Sequence, residues 1–168
     1  MHKINKKVSM KILSKFTIFI IILINLNTKI FANEIVGYAN ITDGDTIKIL
    51  NKRIRLHGID APEKAQNCTK NSKKYNCGIV ATIALDKKIN KNIVRCEVQD
   101  KMDRYRRYIG ICFIGQVNLN KWMVANGYAV AYRRYSKDYI SDEEHARKNK
   151  LGLWSGTFIH PKKWRKLN

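Results

Sequence analysis

Apolar and polar residues alternate along five short stretches of this chain, which is the pattern of β-strands with one buried face. The first stretch is 35–41. Two more lie on either side of a two-residue turn at 51–52, and the last two are 92–98 and 108–114, with a turn near 103–105. The pattern therefore predicts one strand followed by two hairpins.

The register of the first hairpin follows from its turn. With residues 51–52 in the turn, Ile49 lies opposite Ile54 and Ile47 lies opposite Leu56. All four apolar side chains then share one face of the sheet, as a half-buried strand pair requires.

The same register brings acidic residues together at the open end of the hairpin. Asp43 lies opposite Asp60, and Asp45 lies opposite Gly58. Two carboxylates on one face repel each other unless one is protonated or a cation lies between them. This end is therefore a candidate site for a hard metal ion. The alternative is an ordinary turn, because Asp and Gly are common turn residues.

Three helices are predicted between and after the strands. They are 78–90, 119–126 and a third that opens at a capping box, 141–144, and closes at Gly152. The segment 62–76 is predicted to be a polar loop. The apolar stripe of the first helix is predicted to consist of Ile79, Val80, Ile83 and Ala84.

Five strands with one helix after the third and two helices after the fifth can close into a Greek-key barrel of the oligonucleotide-binding (OB) type. Closure also removes the unpaired edges of the sheet. The predicted fold class is α+β, mainly β: a five-stranded OB-fold barrel with three helices, in one domain over residues 33–168. The alternative is an open α+β sheet.

Residues 1–32 have the features of a secretory signal peptide. Lysines precede a mainly apolar run at 16–26, and residues 30–32 form an acceptable cleavage site. The run is short against the roughly 20 residues that span a bilayer, which favours cleavage near Ala32 over a transmembrane anchor. The protein is then expected to be secreted or periplasmic.

The rest of the chain is strongly basic. Six of the 33 Lys and Arg residues lie in the leader, so the remaining 27 against 13 Asp and Glu give a net charge of +14. Such a charge favours a polyanionic partner, which can be nucleic acid, anionic lipid or acidic glycan. The composition is biased toward Lys, Asn and Ile in general, so the charge alone favours nucleic acid only modestly.

Four cysteines follow the leader, which is typical of a protein that folds in an oxidising compartment. Three pairings are possible. Cys68 and Cys77 lie at the ends of a polar loop, and Cys96 faces Cys112 if the second hairpin pairs in register. The 68–77 and 96–112 disulfides are therefore favoured.

The acidic cluster and two arginines suggest phosphate chemistry. Asp45, Asp60 and a nearby backbone carbonyl would form an all-oxygen ligand set, which suits Ca²⁺. Arg55 and Arg107 each have a planar fork that fits two phosphate oxygens. Strict alternation places Arg55 on the face opposite Asp45, so a bulge or strong twist must turn it inward. Glu63 is a candidate to orient or deprotonate an attacking water.

Tyrosines and arginines interleave at two points in the chain, where they can stack on bases and contact phosphates. For Tyr132 and Tyr135, packing beneath the last helix is an equally good interpretation. The residues predicted to contact nucleic acid are Arg104, Tyr105, Tyr132 and Tyr135.

Six short motifs occur along the chain: DGDT at 43–46, IRLHGIDAPE at 54–63, DRYRR at 103–107, LNKWMV at 119–124, AR at 146–147 and GLW at 152–154. In this order and spacing they resemble the staphylococcal nuclease (thermonuclease) family over most of the mature chain. The resemblance implies an OB-fold barrel that hydrolyses DNA and RNA with one Ca²⁺ ion.

The resemblance also implies roles for individual residues. Asp45 and Asp60 would bind the metal through their side chains, and Ala61 through its carbonyl oxygen. The residues implied to be catalytic are Arg55, Glu63 and Arg107.

One departure from the family pattern is Arg106, where the family usually has glycine. If the turn needs a positive φ, an arginine there costs roughly 1 kcal/mol. The position of Arg107 then depends on how this turn is held.

These patterns favour an exported, monomeric, Ca²⁺-dependent nuclease without an obligate protein partner, acting on single-stranded or frayed DNA and RNA. The alternative is a catalytically inactive OB-fold protein that only binds nucleic acid. The acidic residues argue against that alternative, since a pure binder needs no metal carboxylates in a basic groove. A cationic surface-adhesion protein would leave the acidic cluster unexplained.

Overall fold

The computed structural model of this protein describes residues 33–168. The predictions of a signal peptide over residues 1–32 and of its cleavage near Ala32 lie outside the described residues. Within 33–168, no helix is long and apolar enough to cross a membrane.

The described part of the chain contains ten strands, four α-helices and one short 3-10 helix. The strands are β1 (Asn33–Asp43), β2 (Thr46–Ile49), β3 (Lys52–Leu56), β4 (Ile59–Asp60), β5 (Asn67–Lys70), β6 (Lys73–Asn76), β7 (Ile93–Val98), β8 (Tyr108–Ile114), β9 (Val117–Asn118) and β10 (Val130–Ala131). The α-helices are α1 (Cys77–Ile89), α2 (Leu119–Ala125), α3 (Ile140–Lys148) and α4 (Pro161–Leu167), and the 3-10 helix is Gly152–Ser155.

Five of the strands close into a barrel. They are hydrogen-bonded in the order β3-β2-β1-β7-β8, and β8 pairs back onto β3 in parallel. β1, with 11 residues, is long enough to pair with β7 along its first half and with β2 along its second. The five-stranded OB-fold barrel is therefore confirmed, and the open-sheet alternative is wrong.

The turn of the first hairpin lies one residue earlier than predicted. Leu50 and Asn51 form it with φ of 47° and 63°, the positive values of a type I′ turn. Ile47 therefore pairs with Ile54 rather than with Leu56. Moving the turn by one residue moves the pairing by two, so each strand keeps its inward face. The apolar residues predicted to share that face are all buried in the core.

α1 presents a different face to the barrel from the one predicted. Ile79, Val80 and Ile83 are exposed, at 47%, 42% and 47%. The helix packs closely: a Cβ on Gly44 would lie 2.9 Å from the Ala81 Cβ, so the buried face at this point needs small residues. The buried residues of α1 are Cys77, Gly78, Ala81, Ala84, Leu85 and Ile89.

Both predicted disulfides are confirmed. The Cys68–Cys77 disulfide joins β5 to the first turn of α1. The Cys96–Cys112 disulfide joins β7 to β8, where the two cysteines are directly paired in the predicted register. The segment 62–76 is not a simple loop as predicted, because β5 and β6 form a small hairpin within it.

The helices after the barrel also differ from the prediction. The predicted capping box at 141–144 is wrong, since α3 has no side-chain cap and Glu143 turns inward to accept a hydrogen bond from the Ala131 N–H at 3.0 Å. α3 ends at Lys148, before Gly152. α4, which has a proline in its first turn, was not predicted, so residues 33–168 form four helices rather than three.

The assignment of the buried face of α1 can be tested by mutation. Leu85→Ala is expected to lower the free energy of unfolding by about 3 kcal/mol, because it leaves a cavity in the core. Ile83→Ala, on the exposed face, is expected to lower it by less than about 1 kcal/mol. Urea unfolding of both variants measures the difference. Equal losses would contradict the assignment.

Candidate active site

Asp45 lies in the turn between β1 and β2, where it is buried with only 7% exposure. Its Oδ2 accepts a hydrogen bond from the Ala61 N–H at 2.8 Å, and its Oδ1 accepts one from the Thr46 hydroxyl at 3.2 Å. The turn approaches Ala61 this closely because Gly44 has no side chain, since a Cβ there would lie 2.7 Å from the Ala61 Cβ. Asp45 is thus fixed against the end of β4.

Arg55 joins the two aspartates that are predicted to bind metal. Its Nη1 forms an ion pair with Asp45, and its Nη2 lies 3.1 Å from Asp60 Oδ1. Burial alone would lower the pKa of Arg55, but the two carboxylates outweigh burial and raise it. Arg55 reaches Asp45 because strand alternation stops at the turn, next to a bulge in β1 between Ile41 and Asp43.

Asp60 is fully buried at the end of β4. Its strand partner is Val130 in β10, so the predicted pairing of Asp60 with Asp43 is wrong. The predicted pairing of Asp45 with Gly58 is also wrong: the Asp45 carbonyl accepts a hydrogen bond from β3, and the Gly58 carbonyl accepts one from the loop after β10. The acids are brought together by the turn and by β4, not by an extension of the hairpin.

The acids of this site sit in surroundings that disfavour their charge. Burial, together with the neighbouring Asp45 carboxylate, raises the pKa of Asp43 to about 6. Burial also raises the pKa of Asp60, although Arg165 and Arg55 act in the opposite direction. Carboxylates in such surroundings are stabilised by a nearby cation, so the site attracts positive charge.

Arg165, in α4, contacts two of the predicted site residues at once. Its Nη1 donates to Asp60 Oδ1 at 2.9 Å and to Glu63 Oε1 at 2.8 Å, and its Nη2 donates to Asp60 Oδ2 at 3.1 Å. These carboxylates raise the pKa of Arg165 above its usual value, although burial opposes them. Arg165 therefore links Glu63 to the acidic pair.

A buried glutamine ties the Glu63 loop to the segment before α4. Gln66 Nε2 donates to the Ile159 carbonyl at 2.6 Å, and Gln66 Oε1 accepts from the Glu63 N–H at 3.3 Å. This side chain fixes the start of α4 relative to Glu63 and so brings Arg165 within reach of the acids.

Arg107 is held beside the site by Asp103 despite the unusual turn. Arg106 has a φ of 58°, so the turn does use the conformation that favours glycine. Asp103 accepts hydrogen bonds from the Arg107 backbone N–H and from its Nε, both at 2.9 Å. Arg107 Nη1 lies 3.5 Å from the Thr46 hydroxyl, which in turn contacts Asp45.

The residues predicted to contact nucleic acid lie in two exposed groups. Arg104 donates to the Tyr105 hydroxyl at 2.6 Å, and the Arg107 guanidinium lies 5.3 Å from the centre of the Tyr105 ring. Tyr132 and Tyr135 pack edge to face with ring centres 4.8 Å apart. Tyr135 is 60% exposed, and Tyr132 is half-buried. All four side chains keep a surface open to solvent.

The predicted metal ligands are oxygen atoms, the ligand type that suits a hard cation. Between residues 33 and 168, no group of three or more His, Cys, Asp or Glu side chains is arranged to hold a metal. The predicted set is different: two side chains, Asp45 and Asp60, plus the carbonyl of Ala61, whose own N–H already binds Asp45. Both carboxylates are buried and contact the same guanidinium, so the two predicted side-chain ligands lie close to each other.

Sequence reasoning missed several residues that organise this site. Thr46, Gln66 and Asp103 act by holding predicted residues in place. Thr46 lies in the DGDT motif and Asp103 lies in the DRYRR motif, but no local pattern in the sequence predicts the contacts that they make. Arg165 lies 105 residues from Asp60 along the chain. The basic segment PKKWR at 161–165 is the sequence feature that could have drawn attention to Arg165.

These features define an OB-fold barrel with a buried carboxylate pair bordered by arginines. The model of the staphylococcal nuclease homologue family matches residues 53–156, and the chain belongs to the staphylococcal nuclease family. Asp45 and Arg165 lie outside the matched residues.

Three related proteins are similar to this chain over 73%, 75% and 82% of its length. The chain is 33% identical over 159 residues to the micrococcal nuclease of Shigella flexneri, covering 82% of each protein. It is 37% identical over 134 residues to an uncharacterized endonuclease of Haemophilus influenzae, covering 75% of this chain and 70% of that protein. The succinoglycan biosynthesis protein ExoI of Rhizobium meliloti is 36% identical over 127 residues, covering 73% of this chain and 66% of that protein. Family membership and the relatives named as nucleases support a nuclease function.

The strain at Arg106 can be measured. Arg106→Gly is expected to raise the free energy of unfolding by about 1 kcal/mol, because glycine adopts a φ of 58° without a steric penalty. Arg104→Gly in the same turn, where φ is not positive, serves as the control and should not stabilise the protein. Urea unfolding provides both values, and a loss of stability in Arg106→Gly would contradict the assignment of strain.

Proposed function

We propose that this protein is an exported Ca²⁺-dependent nuclease that uses water to cleave phosphodiester bonds in DNA and RNA. The observation that carries the proposal is the pair of buried carboxylates, Asp45 and Asp60, that share the guanidinium of Arg55. Burying two acids costs free energy, and their charge repels nucleic acid. A protein that only binds nucleic acid has no use for this arrangement, whereas a metal-dependent nuclease needs it.

The proposed ligands for one Ca²⁺ ion are the Asp45 and Asp60 side chains and the Ala61 carbonyl oxygen. An all-oxygen set with few protein ligands suits Ca²⁺, because this ion tolerates irregular geometry and completes its shell with water. When bound, the ion would neutralise negative charge on the phosphate and position water next to it.

Side chains of the protein carry out the remaining steps of the reaction. Arg55 and Arg107 bind the non-bridging oxygens of the scissile phosphate and stabilise the extra negative charge of the transition state. Glu63 orients the attacking water and accepts its proton. As the bond between the water oxygen and phosphorus forms, the bond from phosphorus to the leaving sugar oxygen breaks, and that oxygen takes a proton from solvent water to become a hydroxyl.

The proposed substrates are single-stranded or frayed DNA and RNA. Tyr105 and Tyr135 are exposed and can stack only on bases that are not already stacked in a duplex, while Arg104 provides phosphate contact. The tyrosine pair formed by Tyr132 and Tyr135 offers a second stacking point. The protein is proposed to act as a monomer without an obligate protein partner.

We also propose that the protein is exported. Residues 1–32 are proposed to be a signal peptide that is cleaved near Ala32, leaving a nuclease domain at 33–168 in the periplasm or the medium. The two disulfides support this, because disulfides persist in oxidising compartments.

The nuclease proposal is tested by incubating denatured DNA with the purified mature protein in Ca²⁺ or in a chelator. We expect cleavage in Ca²⁺ and none in the chelator. Equal activity in both would contradict the metal requirement. Salt-sensitive binding without cleavage at millimolar Ca²⁺ would instead support the inactive nucleic-acid-binding barrel.

The role of Glu63 is tested by Glu63→Gln. We expect kcat to fall by about 10²- to 10⁴-fold, because the amide cannot accept the proton, while the Kd for DNA stays nearly unchanged. The control is Glu144→Gln, which changes an exposed acid in α3 and should leave kcat unchanged. An unchanged kcat in Glu63→Gln would remove Glu63 from the mechanism.

A further inference from the structure

Building on the proposed Ca²⁺ site, we infer that Arg165 is a positioning residue that holds Asp60 and Glu63 and releases them when the cation binds. The guanidinium of Arg165 donates hydrogen bonds to both carboxylate oxygens of Asp60 and to one carboxylate oxygen of Glu63. Few protein groups other than arginine can bridge two carboxylates in this way.

The hydrogen bonds that Asp60 accepts place Arg165 in competition with a bound cation. Asp60 has no exposed surface, and both of its oxygens accept hydrogen bonds from Arg165. Nη1 of Arg165 lies 2.9 Å from Asp60 and 2.8 Å from Glu63, so it occupies the space between them. Oδ1 of Asp60 also accepts a hydrogen bond from Arg55 Nη2 at 3.1 Å, so three of the roughly four lone pairs of the carboxylate are used. A cation bound by Asp60 would stand next to a positive guanidinium. Ca²⁺ binding by Asp60 therefore competes with the full Arg165 contact.

The fold determines which arginine gives way. Arg55 is in a barrel strand with 13% of its side chain exposed, whereas Arg165 has 36% exposed and lies in a seven-residue helix outside the barrel. The chain just before α4 is fixed by the Gln66–Ile159 hydrogen bond. The Arg165 side chain can therefore turn outward while the barrel and the start of α4 stay in place.

This exchange has two consequences that are separate from catalysis. In the absence of Ca²⁺, Arg165 provides the positive charge that a buried carboxylate needs, so it stabilises the fold. In the presence of Ca²⁺, the same contact has to be broken, so it weakens the apparent affinity for the ion.

The test compares Arg165→Gln with Lys166→Gln, which removes the same charge from an exposed neighbouring position of α4. Isothermal titration calorimetry measures the Kd for Ca²⁺. Thermal unfolding is recorded in EDTA and in saturating Ca²⁺. We expect Arg165→Gln to bind Ca²⁺ about tenfold more tightly than the wild type, because the lost hydrogen bonds no longer compete. Its Tm should fall in EDTA and rise further than that of the wild type on adding Ca²⁺. Lys166→Gln should match the wild type in both measurements.

A Kd for Arg165→Gln that is unchanged or weaker than the wild type would overturn the inference. Weaker oligonucleotide binding with an unchanged Kd for Ca²⁺ would also overturn it, since Arg165 would then be a phosphate ligand. If neither protein binds Ca²⁺, the proposed metal site fails as well. If Arg165→Gln does not fold, Arg165→Lys provides the test: a smaller decrease in Kd supports the inference, and no decrease overturns it.

Discussion

Two buried aspartates, Asp45 and Asp60, lie within reach of a single guanidinium, and their mutual repulsion determines what else the site must contain. Negative charge in a desolvated position has to be balanced locally. Arg55 balances it from the barrel wall, and Arg165 balances it from the C-terminal helix. Arg107 reaches the site through the Thr46 hydroxyl. Arg55, which is proposed to bind phosphate, is thus also one of the two arginines that balance the charge of the acidic pair.

Close packing within the barrel fixes the positions of the charged groups of this site. The turn that carries Asp45 can pack against β4 and α1 only because Gly44 has no side chain, and it is this approach that directs the Ala61 N–H to the Asp45 carboxylate. Asp103 holds Arg107 in a turn that contains an arginine at positive φ. Gln66 connects the Glu63 loop to the start of α4. Each of these contacts restricts the position of one charged group of the site.

Much of the barrel could be predicted from sequence because strand alternation has a period of two. The inward face of the first hairpin was correct even though its turn was misplaced by one residue, since the pairing moved by two and parity was kept. The disulfide across β7 and β8 followed from register in the same way. The face of α1 was predicted wrongly because three of its large apolar residues, Ile79, Val80 and Ile83, are exposed, and its close contact with Gly44 uses the small residue Ala81. Arg165 could not be predicted, because its position depends on a contact over 105 residues, made by a helix that the pattern did not indicate.

We propose that the carboxylate pair is a Ca²⁺ site from which Arg165 withdraws. The most direct measurement is a crystal structure of the protein in Ca²⁺, with the ion identified by anomalous scattering. We expect one ion within about 2.6 Å of the Asp45 and Asp60 carboxylates and the Ala61 carbonyl, with Arg165 turned away from Asp60. An ion bound elsewhere, or an Arg165 that stays paired with both oxygens of Asp60 beside a bound ion, would contradict the account.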